Sequence, residues 1–120
     1  MAEGNFIGGP MYLAVKKLSA KGEFESPFAT KGVYIKAVPY VGNEWFDEPT
    51  VGNRYGCCRM LTSNVESYMK AENGWLIETE HSSYLYFLSE SMEDLEEMAK
   101  RDNLTNKEIS LSGATYWRSA

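Results

Sequence analysis

A chain of 120 residues suits one domain, and 43% hydrophobic with 13% aromatic side chains is enough for one packed core, which excludes a disordered composition. Twelve basic against 17 acidic side chains leave a formal charge of −5, so nonspecific binding to phosphate backbones, which needs clustered Lys and Arg, is disfavoured. No apolar run approaches the ~20 residues that cross a bilayer.

Residues 1–10 end in Gly8-Gly9-Pro10 and read as an irregular lead-in to a single domain over 1–120. The start, Met1-Ala2-Glu3-Gly4-Asn5, lacks the basic and apolar regions of a secretory signal. The apolar run Met11–Leu18 with its late Lys16-Lys17 pair predicts a first strand. Ser19 to Lys31 holds Gly22 and Pro27 and predicts a loop, pinned to the core by Phe24 and Phe28. Val33 to Val38 is dense in β-branched and aromatic residues and predicts the second strand. Pro39 has no N–H to donate, so it ends that ladder or sits at an edge. A long loop from Val41 to Asn53 follows.

The stretch Tyr55 to Leu88 predicts a meander: Tyr55–Leu61, Val65–Lys70, Trp75–Thr79 and Ser83–Leu88. Asn73-Gly74 supplies residues that tolerate positive φ in a tight hairpin. Alternation puts Trp75, Ile77 and Thr79 on one face, with Leu76 and Glu78 on the other. The chemistry changes at Ser89. Ser91 is an N-cap with Asp94 three residues on. Met92, Leu95, Met98 and Ala99 form one apolar stripe, and acids precede Lys100 and Arg101 as the helix dipole prefers. Beyond Asn103 the pattern fits either one more helical turn capped by Thr105 and Glu108, or an edge strand over Lys107–Leu111. The expected fold is α+β and mainly antiparallel: a curled sheet or small barrel of five to six strands with one C-terminal amphipathic helix.

No constellation carries a catalytic signature. Cys57 and Cys58 are the only cysteines; neighbours in a strand point to opposite faces, and a structural zinc site wants four ligands. Two thiols build no disulfide framework, which fits a reducing cytoplasm. His81, the sole histidine, falls in a turn beside Glu80, Ser82 and Ser83, and a polar turn residue explains it better than a hydrolase base. No metal or cofactor is called for.

The candidate contacts for a partner surround the long loop, whose Trp45 either faces that partner or folds back onto the core. Glu44, Asp47 and Glu48 interleave with Trp45 and Phe46, with Glu23 and Glu25 as further acids. Aromatics are favoured at interface cores, and acids steer toward a basic partner. Arg54 and Tyr55 close the loop and are common hot-spot types. The alternative is a small anionic or nucleotide-like ligand held by Arg54, Arg59 and Tyr55, since a guanidinium matches phosphate and carboxylate geometry. Tyr116-Trp117 at the C-terminus either docks on the domain or is presented to another chain. A strand edge offers a route to a homo-oligomer.

Thr62-Ser63-Asn64-Val65, then Trp75-Leu76-Ile77-Glu78-Thr79, then Ser82-Ser83-Tyr84 resembles a pattern in short accessory proteins of phages and prophages. The resemblance covers about a quarter of the chain and carries no catalytic residue. It implies an accessory protein of a mobile element that inhibits a host defence system. The expectation is a small, acidic, cytosolic, non-enzymatic protein that occupies the surface of a host macromolecule.

Overall fold

The computed structural model describes residues 11–18, 31–40 and 46–120. The lead-in, the loop with Phe24 and Phe28, the acids Glu23 and Glu25, and Glu44 and Trp45 lie outside the described residues.

Among the described residues, eight strands and one helix follow in chain order: β1 (Met11–Leu18), β2 (Gly32–Tyr40), β3 (Arg54–Cys57), β4 (Met60–Ala71), β5 (Gly74–Thr79), β6 (Ser83–Ser89), α1 (Met92–Arg101), β7 (Asn106–Ile109) and β8 (Thr115–Arg118). The sheet order is β3-β4-β5-β6-β1-β2-β8-β7, with every neighbouring pair antiparallel. The fold is therefore an antiparallel sheet with one helix, as expected. It has eight strands rather than five to six, and it does not close into a barrel, because β3 and β7 end it on opposite sides.

The extra strands have local causes. The expected strand Tyr55–Leu61 is broken at Cys58-Arg59, where both residues have φ of 56°. No glycine marks that turn, which is why it is invisible in the sequence. Asn106–Ile109 returns as an edge strand rather than a helical turn, paired with β8. Tyr116-Trp117 docks: β8 inserts between β2 and β7, and Trp117 is buried. Pro39 does not put β2 at an edge. The strand runs through it to Tyr40, pairing with β1 throughout, while β8 reaches only to Ala37. The missing N–H therefore falls where no ladder partner exists on that side.

The helix forms as its sequence dictates. The Ser91 side chain accepts from the Asp94 N–H at 3.2 Å, and Leu95, Met98 and Ala99 are buried. They join Ala14, Leu18, Ile35, Leu76, Leu85, Phe87 and Trp117 in a core on one face of the sheet. A second core lies on the opposite face and includes Leu13, Val15, Val38, Ile77, Tyr84 and Tyr86. Tyr55, Cys57, Cys58 and Val65 pack into it, so the β3–β4 hairpin folds back over that face. Its bend sits where β4 changes register between Val65 and Ser67 and passes from β3 to β5. Across the gap, Lys36 Nζ donates to the Arg59 carbonyl at 2.9 Å, and the Tyr34 hydroxyl donates to Met60 Sδ at 2.9 Å. These side-chain contacts, not a ladder, hold the hairpin tip to β2. Cys57 and Cys58 are both buried in this one core, because the positive φ at Cys58 cancels the alternation that would have parted them.

The second core is rich in tyrosine, and this predicts an alkaline signature. Burial pushes Tyr34 from 10.0 up to about 12, with Tyr84, Tyr116 and Cys58 adding to it. Burial raises Tyr55 and Tyr86 further. A raised phenol favours the neutral form in the folded state, so its stabilisation is complete below pH 10.0 and is lost as pH rises toward about 12. Tyrosinate absorbance should rise in two phases, the later one coinciding with loss of near-ultraviolet dichroism. A single phase near pH 10 with the fold retained would count against a buried tyrosine core.

Candidate functional site

Segment 46–53 has no regular structure, yet side chains fasten it to the sheet. The Tyr55 hydroxyl donates to the Asp47 carbonyl at 2.7 Å, and the Tyr68 hydroxyl donates to Glu48 Oε2 at 2.6 Å. The backbone adds Gly52 N–H to the Val65 carbonyl and Val65 N–H to the Asn53 carbonyl, both 2.9 Å. Alternation in β3 buries Tyr55 and turns Arg54 outward. Arg54 Nε donates to the Thr62 carbonyl at 2.7 Å, which fixes the guanidinium beside the segment. The Glu48 bond is also what raises the Tyr68 phenol most, because deprotonation would set two anions together.

The sequence-derived residues thus take different places. Asp47, Glu48 and Arg54 are exposed and share a hollow of about 220 Å³ with Thr50, Asn53, Tyr55 and Gly56. Phe46 is half-buried against the second core. Tyr55 is buried and acts as an anchor through its hydroxyl. Arg59 stands apart from Arg54 and Tyr55, at the hairpin tip, where it lines a different groove. His81 is exposed in the β5–β6 turn, which Thr79 and Ser82 hold by their mutual hydrogen bonds.

Two residues beside the acids escaped the sequence reading. Tyr68 meets Trp75 edge-on at 5.9 Å between centroids, and Lys70 Nζ lies 4.6 Å from the centre of the Trp75 ring. Both aromatics remain partly exposed. The signal for them was present. The tight turn at Glu72-Asn73 sets Lys70 opposite Trp75 and Tyr68 opposite Ile77, so Tyr68, Lys70 and Trp75 share a face.

No family model, curated protein or solved structure matches this chain. Among the described residues, no group of three or more His, Cys, Asp or Glu side chains is placed to hold a metal ion, and no helix is long and apolar enough to cross a membrane. The fastened segment sets Asp47 and Glu48 beside the Arg54 guanidinium of β3 and beside the partly exposed Tyr68 and Trp75 of β4 and β5, with the Lys70 ammonium over the Trp75 ring. That combination suits recognition of a surface.

Proposed function

We propose that this is a non-enzymatic binding protein that occupies the surface of a host macromolecule. Its contact patch is Phe46, Asp47, Glu48 and Arg54, extended by Glu44 and Trp45 in sequence and by Tyr68 and Trp75 in space. The observation that supports this most is the Tyr68–Glu48 hydrogen bond, which holds an exposed acid against the aromatic pair. A surface ordered before the partner arrives loses less entropy on binding. The partner is a protein with a basic face, because the whole chain carries −5 and Glu44, Asp47 and Glu48 outnumber Arg54 and the neighbouring Lys70. The resemblance to phage accessory proteins points to a host defence component in the host cytoplasm. The edge strand β7 keeps self-pairing open: a two-fold antiparallel pair centred on Ile109 opposes no like charges, whereas one centred on Lys107 or Glu108 does.

Affinity capture from host lysate, with mass-spectrometric identification, tests the proposal. One specific protein should be retained by the wild type and lost on Trp45→Ala with Arg54→Ala, while far-ultraviolet dichroism is unchanged. Equal retention by wild type and variant would sink the patch.

A further inference from the structure

A groove of about 650 Å³ lies between β2, β8 and the β3–β4 turn, lined by Val33, Tyr34, Lys36, Arg59, Met60, Tyr116, Arg118 and Ser119. We propose that it binds a small organic anion of the mononucleotide class, at a site separate from the protein-contact patch. This inference does not rest on that patch, and either can fail alone.

The charge balance carries the proposal. Arg118 is paired with Glu108 at 2.6 Å. Lys36 and Arg59 are not so matched among the described residues. Lys36 Nζ meets the Arg59 carbonyl and lies 5.3 Å from the centre of the Tyr116 ring. The Arg59 guanidinium meets the Ser112 carbonyl at 2.8 Å. Among the described residues, Lys36 and Arg59 thus face the groove with carbonyl and ring dipoles as their contacts, while Arg118 alone of its three cations has a carboxylate, in a chain of net −5. Lys36 is only 6% exposed. A buried ammonium without a counter-charge is costly, and an anion in the groove would remove that cost.

The remaining walls select the anion. The groove lies within the usual volume range of small-molecule sites and exceeds what a bare inorganic ion needs. Val33 and Met60 make an apolar side, and the Tyr34 and Tyr116 rings offer surfaces for a flat base. The Tyr34 hydroxyl is engaged with Met60, so that ring is fixed before a ligand enters. A phosphate belongs at Arg59 and Lys36, because the guanidinium fork is built for such oxygens. The ring and the phosphate together make the ligand a mononucleotide rather than free phosphate or a nucleoside.

Isothermal titration of the full chain with AMP, GMP, CMP and UMP, with the four nucleosides and with inorganic phosphate, tests this. At least one mononucleotide should saturate below about 1 mM. Its nucleoside and phosphate alone should each bind at least about tenfold more weakly. Arg59→Asn keeps a residue that tolerates the positive φ, and Lys36→Met keeps the apolar stem. Each should weaken the nucleotide about tenfold, while Glu93→Gln on the exposed side of α1 leaves it unchanged. If Lys36→Met fails to fold, Arg59→Asn still decides. The proposal is overturned if no mononucleotide binds, if phosphate alone binds as tightly, or if folded Arg59→Asn binds like the wild type.

Discussion

Asp102→Asn should lower the unfolding free energy by about 3 kcal/mol, and Lys16→Met by a similar amount, while the two together restore most of the loss. Lys16 projects from β1 on the helix-covered face, alongside Ala14 and Leu18, and is 1% exposed. Its ammonium meets Asp102 Oδ2 at 3.1 Å, with both side chains almost fully buried. Asp102 is the C-cap of α1, and the same oxygen accepts the Gly32 N–H at 2.9 Å. One carboxylate thus joins the helix end to two strands. Removing either partner leaves a buried charge without its counter-charge. The double change leaves no charge, and the Asn carbonyl still accepts from Gly32. Urea denaturation of the four proteins gives the cycle. Strictly additive losses would show that the two groups do not act as a pair.

Gly74→Ala should cost more than about 3 kcal/mol or prevent folding altogether. Gly74 pairs with Phe87 in the β5–β6 ladder, and a Cβ there would lie 2.7 Å from the Phe87 Cα and overlap the Tyr86 carbonyl oxygen. Both obstacles are backbone, so no side-chain rotation relieves them. The sequence reading assigned Gly74 to positive φ in the hairpin turn. In the structure Asn73 supplies that conformation, with φ of 60°, and Gly74 supplies room for the neighbouring strand. Asn73→Gly should therefore change stability by only a few tenths of a kcal/mol. Thermal melts of the two variants separate the roles. A tolerated Gly74→Ala would contradict the close approach.

These positions show where sequence reasoning reached and where it stopped. The helix was legible down to its cap, because Ser91, the apolar stripe and the charge order are local signals. The face assignment in β5 was legible for the same reason, with Ile77 and Leu76 in opposite cores. Lys16 was not. It read as the polar end of a strand, and only the third dimension brings the C-terminus of α1 to it. The turn at Cys58-Arg59 was hidden because non-glycine residues hold the positive φ. Its consequence was larger than one strand boundary: it folds the hairpin over the second core and carries Arg59 away from Arg54. Asp47, Glu48 and Arg54 read as surface residues and are exposed, while Tyr55, expected as a contact, is the buried anchor beneath them. Trp75 and Tyr68 were placed correctly on strands but not linked to the acids, since a link between residues 48 and 68 belongs to tertiary structure.

The most direct measurement of the central claim is hydrogen–deuterium exchange of the protein with and without the host protein it captures. Slowed exchange confined to residues 46–54 and to the Tyr68 and Trp75 strands is the predicted footprint. Slowed exchange on α1, with segment 46–54 unchanged, would contradict it.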